Sequence, residues 1–103
     1  MASARARNSD PITSHEAAAR VQGLTVTQYF ICQLFDIYGA MSDEELCDRY
    51  RARFNIVHPA SLPSIRSRRA ELVTAGTITD TGKVKLTEYG RNTIVWDLAG
   101  RLF

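Results

Sequence analysis

Three arginines within four residues, Arg66, Arg68 and Arg69 in the stretch SLPSIRSRRAELVTAG (61–76), are the densest concentration of chemistry in the chain. A guanidinium keeps its charge at any ordinary pH and offers a planar fork of N–H donors to carboxylates and phosphates. A helix that only has to pack spares one exposed arginine cheaply; three leave positive charge that must meet something. Charge is also sorted by sign along the chain. From Asp36 to Asp48 every charge is acidic (Asp36, Asp43, Glu44, Glu45, Asp48), whereas the eight basic residues from Arg49 to Lys85 face only Glu71 and Asp80. The net charge of +2 alone argues for no partner, but the sorting points to a polyanion-binding surface, with a solvated face as the plain alternative.

No constellation supports catalysis, so no enzyme is expected. His15 and His58 are far apart and lack a Ser, Cys or carboxylate arrangement that would make either a general base; they read as core-edge or loop histidines. Cys32 and Cys47 have neither CxxC spacing nor a nearby His pair, which excludes a zinc site or disulfide framework and makes both small buried hydrophobes. No glycine loop for cradling phosphates is present; Gly82 and Gly90 read as hairpin turns. The expected cofactor and metal content is none.

The elements that must position the arginines follow from local signals. At 103 residues, 45% hydrophobic and 23% charged, the chain suits one domain with an ordinary core. No apolar run approaches the ~20 residues of a membrane span, and MASARARNSDP lacks the apolar stretch of a secretory signal, so a cytoplasmic protein without membrane contact is expected. Residues 1–12 read as a flexible basic arm carrying Arg5 and Arg7. Thr13 with Glu16 has capping-box spacing and starts a short helix over about 14–22, closed by Gly23. Thr25 with Gln28 starts a second over 26–38, whose inward positions are Thr27, Phe30, Ile31, Leu34 and Tyr38. Gly39 ends it, and residues 40–41 form an extended link. Ser42 with Glu45 opens a third helix, inward at Leu46, Cys47, Tyr50 and Phe54. Arg49, Arg51 and Arg53 fall late in it, where cations meet the negative helix end. Pro63 near the start and Gly76 after the end bound a fourth helix, about 62–75, with Ile65, Leu72 and Val73 inward. TITDTG, KVKLT and TIVWDL then alternate β-branched residues around the turn EYGRN, a β-hairpin over about 77–98. Trp96 on its last strand closes it onto the helices. The fold class expected is mostly α with a C-terminal β-hairpin, one domain over 13–103, with residues 40–41 pairing on the hairpin's edge.

From about Leu24 to Trp96 the chain resembles winged helix-turn-helix domains preceded by one extra helix. The combination of DPITSHEAA, MSDEEL, SIRSRRAELVTAG and TIVWDL is similar to small winged-helix proteins of actinobacterial phages and prophages. The resemblance implies sequence-specific binding of double-stranded DNA by a regulator of transcription or of DNA transactions, with 62–75 as the recognition helix and 77–98 as the wing. It departs from the family pattern twice. Arg69 occupies an inward position that is normally apolar, so it must snorkel or pair with a carboxylate, Glu45 and Asp48 being the candidates. The link of about 55–60 is also longer than the plain three-to-four-residue turn.

On that resemblance the outward arc of the recognition helix is Ser64, Ser67, Arg68 and Glu71, with Arg66 on its flank. Arg66 and Arg68 are the candidates for guanine edges, against the plain alternative of solvated arginines pairing with Glu71 or with carboxylates of the second core helix. Ser67 offers a hydroxyl beside them, and Ser61 and Ser64 sit where helix N–H groups favour a phosphate. Lys83, Lys85 and Arg91 on the wing suit phosphates or a minor groove, against the plain alternative of lysines protecting an edge strand. Arg5 and Arg7 would enter a minor groove as a flexible arm does. A homodimer on a repeated or palindromic site is the expected assembly, with Ala17, Ala18 and Val21 or Leu98, Leu102 and Phe103 as its surface, against packing within the chain. The alternative function is a winged-helix module that binds a host or phage protein through acidic 43–48 or the apolar tail.

Overall fold

Three of the four helices begin where a side chain accepts a free amide of the first turn. The computed structural model describes residues 11–102, with side chains over 14–100. The Arg5 and Arg7 arm, the Thr13 hydroxyl and the side chains of Leu102 and Phe103 lie outside that range. Helix α1 spans Pro11–Val21. It starts earlier than the expected position 14, because proline suits the first helical residue with its fixed φ and missing N–H; Thr13 therefore lies inside the helix and is not its cap. Helix α2, Val26–Tyr38, carries the reciprocal Thr25–Gln28 capping box, and α3, Asp43–Arg53, carries the Ser42–Glu45 box. Helix α4, Leu62–Thr74, is capped by Ser61, whose hydroxyl accepts the Ser64 N–H at 3.2 Å. At its end Gly76 adopts φ +82°, letting Gly76 N–H reach the Val73 carbonyl and Thr77 N–H the Leu72 carbonyl.

The core lies between α2, α3, α4 and the sheet. Phe30, Ile31, Leu34, Phe35, Met41, Leu46, Cys47, Tyr50, Phe54, Ile65, Leu72 and Ile78 bury together, each large side chain among them worth about 1.5–3 kcal/mol of transfer from water. Phe30 is its centre, stacked on Phe54 at 4.1 Å between centroids and edge-on to His15 at 4.8 Å. His15 and His58 both sit at the core edge, against Phe30. In α2 the inward stripe includes Phe35 and excludes Tyr38, which stays exposed under the Arg49 guanidinium at 4.3 Å. The connection between α3 and α4 is long but pinned: the buried Tyr50 hydroxyl donates to the His58 carbonyl at 2.9 Å.

Strands β1 (Met41–Ser42), β2 (Ile78–Leu86) and β3 (Asn92–Leu98) form an antiparallel sheet in the order β1-β3-β2. The short strand falls one residue later than 40–41 and pairs Met41 with Trp96 and Ser42 with Val95. Gly82 is not a hairpin turn. It sits at φ +83° inside β2, where the register slips between Asp80 and Val84. The bulge is built locally: Asp80 Oδ1 accepts the Gly82 N–H, while the Thr81 hydroxyl accepts the Lys83 N–H and donates to the Val95 carbonyl. The turn is at 87–91, where Gly90 donates to Thr87 and Thr87 to Arg91. A short 3₁₀ turn, Ala99–Leu102, follows β3. The described residues are thus four helices and a small antiparallel sheet, an α+β arrangement. No helix among them is long and apolar enough to cross a membrane.

Candidate nucleic-acid interface

Helix α4 turns Ile65 and Leu72 into the core, which fixes where its other side chains go. Pro63, Arg66, Ser67, Ala70 and Thr74 form the exposed stripe. The flank beside α2 holds half-buried Ser64 and Arg68 together with Glu71; the flank beside α3 holds Arg66, Arg69 and Val73. The open face therefore differs from the expected arc of Ser64, Ser67, Arg68 and Glu71. Arg66 and Ser67 stand on it, whereas Arg68 and Ser64 border it.

The three arginines meet three different environments. Arg69 donates through Nε and Nη2 to both oxygens of Asp43, at 2.9 and 2.7 Å, and lays its guanidinium 4.2 Å from the centre of the Trp96 ring. Its partner is neither Glu45 nor Asp48. Glu45 is committed to the Ser42 cap and to Lys85, and Asp48 is exposed. Arg68 pairs with Glu71 at 2.8 Å, and Glu71 also accepts from the Gln28 amide on α2 at 2.9 Å. Its Nε is buried without an acceptor among the described residues. Arg66 alone of the three forms no carboxylate pair among the described residues. Its guanidinium lies beside the Cys47 sulfur, where burial pushes the thiol pKa up and Arg66 works against it, with Asp43 and Asp48 adding to the rise. Cys47 therefore stays a thiol near neutral pH. Cys32 is half-buried, and burial raises it to about 11.

Arg69 on α4 contacts Trp96 in the central strand, which joins α4 to the sheet from which the hairpin extends. Lys83 and Arg91 are exposed. Lys85 is tethered instead, its Nζ 2.9 Å from Glu45 Oε2, with side-chain exposures of 51% and 30%. Partial burial tends to raise the Glu45 carboxyl, but the Ser42 N–H, Lys85 and Arg49 outweigh it, so its pKa falls below the usual 4.5. Apolar surface is exposed on the same hairpin at Val84, Leu86, Tyr89 and Ile94. The hydrogen-bonded Glu88 carboxylate and the charge of Glu44 hold the Tyr89 hydroxyl above its ordinary pKa. Sequence reasoning missed this apolar strip, although Val84, Leu86 and Ile94 alternate in step with core-facing Trp96.

Elsewhere, Ala17 and Val21 stay on the surface of α1, and Leu98 packs against the core. Among the described residues no group of His, Cys, Asp or Glu gathers to hold a metal ion. No protein-family model, curated protein or solved structure matches the chain.

Proposed function

We propose that the chain is a winged helix-turn-helix protein that binds double-stranded DNA, with α4 in the major groove and the β2–β3 hairpin on the adjacent backbone. The observation that carries this reading is an α4 whose exposed stripe holds Arg66 and Ser67, joined through the Arg69–Trp96 contact to a sheet whose hairpin exposes Lys83 and Arg91. The order α2, β1, α3, α4, β2, β3, with sheet order β1-β3-β2, supports it, since it is the arrangement of winged helices with α1 as an addition. Arg66 reads a guanine edge and Ser67 a base or phosphate. Ser61 spends its hydroxyl on the cap, which leaves the amino end of α4 to meet a phosphate through its N–H groups. Arg68 reaches DNA by leaving Glu71, and its buried, unpaired Nε reduces what that move gives up.

The test is binding to random duplex across a salt series. With Arg66, Lys83 and Arg91, and Lys85 once released, on phosphates or nearby, about 3–4 counterions are displaced, and affinity falls roughly 40–150-fold between 50 and 200 mM salt. Binding that is absent in dilute buffer, or indifferent to salt, removes the reading. One observation favours a second: Leu86 and Tyr89, 70% and 80% exposed, lie on a hairpin whose tip is near Glu44 and Glu88. On that reading the domain docks on a protein, and the same salt series separates the two.

A further inference from the structure

We propose that Arg69 is a positioning residue: it fixes the angle between α4 and the β2–β3 hairpin, and so sets how sharply one duplex site is told from another. The inference rests on the DNA-binding reading for its consequence, but the device is in the geometry. Arg69 holds the inward position between Ile65 and Leu72, where a leucine or methionine would fill the space. Its side chain is 14% exposed and that of Asp43 is 20%. Replacing a buried ion pair with apolar residues is often neutral or stabilising, so stability alone does not account for the pair.

What the guanidinium adds is direction. Its edge is fixed by two hydrogen bonds to Asp43, the first residue of α3, and its face by the Trp96 ring on β3. An edge and a face together leave a planar group no free rotation, and a lysine or an aliphatic chain cannot meet both conditions. Trp96 also pairs with Met41, two residues before Asp43, so the carboxylate and the ring belong to one rigid corner of the fold. Arg69 thus ties α4 to the strand from which the hairpin extends. Arg66 and Ser67, one turn or less before it, are aimed by the same rotation of α4. Recognition of this kind tolerates only about 10–20° of error.

The experiment uses the full chain with Asp43→Asn and Arg69→Met combined, so that no charge is left unpaired, and Arg69→Lys as a second variant. Spin labels at Ala70 and Glu88, both exposed, are introduced through a bio-orthogonal amino acid that leaves Cys32 and Cys47 untouched. The double variant is expected to fold and melt cooperatively, to broaden the Ala70–Glu88 distance distribution, and to bind random duplex as the native chain does. Its preference for a selected site over random duplex falls about tenfold, the discrimination of one bidentate base contact. Arg69→Lys, which keeps the charge, behaves the same way and decides the matter if the double variant fails to fold. An unchanged distance distribution in a folded variant overturns the proposal, as does a broadened one with undiminished site preference. If the native chain ignores duplex DNA, the DNA-binding reading fails together with the claim about discrimination, while the distance measurement still decides whether Arg69 sets the angle.

Discussion

Glu45→Gln should make the protein a better DNA binder without unfolding it. The Glu45 carboxylate has two partners: Oε1 accepts the Ser42 N–H at 3.0 Å, completing the cap of α3, and Oε2 holds Lys85 at 2.9 Å. Glutamine keeps an acceptor for the first and offers only a neutral amide to the second. With exposures of 51% and 30% the lost ion pair contributes about 0–1 kcal/mol, so the melting temperature changes little. The binding change is larger. With Lys85 tethered, Arg66, Lys83 and Arg91 displace about three counterions; with Lys85 freed the number is about four, and the slope of log affinity against log salt steepens from roughly −2.7 to −3.6. Fluorescence anisotropy of a labelled random duplex, titrated at several salt concentrations, reads both slope and affinity. If Glu45→Gln leaves them unchanged, or weakens binding at an unchanged melting temperature, Lys85 does not meet phosphate and the hairpin faces something else.

Lys83→Ala with Arg91→Ala should weaken binding to all duplexes alike and flatten the salt slope by about 2; an unaltered slope takes the hairpin out of the interface. Gly76→Ala should destabilise by about 1–2 kcal/mol in a denaturant titration, the cost of the left-handed conformation to an L residue. A Cβ there meets nothing within 4 Å, so a loss well above that range would contradict a purely conformational cost. The pH dependence of Glu45 has a definite sign. Its folded pKa is lowered from 4.5, so its contribution is present above 4.5 and lost as pH falls through the folded value. Melting curves should therefore decline below pH 4.5 less steeply for Glu45→Gln than for the native chain, and a difference that grows above that pH instead would refute the assignment.

What could be read from the sequence was whatever a few neighbouring residues decide. Thr25 with Gln28 and Ser42 with Glu45 close their boxes within one turn, and Gly76 closes α4 with bonds back to Val73 and Leu72. The inward residues of α3 and α4 followed from periodicity, and the extended link between Gly39 and the Ser42 cap fell within one residue of the strand that pairs with Trp96. What escaped depended on competition between distant groups. Arg69 chose Asp43 because Glu45 was already taken by its own cap, a fact implicit in the capping box. The Arg68–Glu71 pair, three residues apart, was legible as the plain alternative to base contact; the Gln28 amide that also binds Glu71, brought close by the packing of α2 on α4, was not. Gly82 joined a strand because Asp80 and Thr81 satisfy the amides of a bulge, and nothing in the glycine itself separates a bulge from a turn.

The most direct measurement is selection of bound duplexes from a random pool, run side by side with the native chain and with Arg66→Ala combined with Arg68→Ala. The account predicts an enriched short motif for the native chain and, for the folded double variant, residual binding with that motif lost. A pool that stays random for the native chain, or a motif that survives both substitutions, would contradict it.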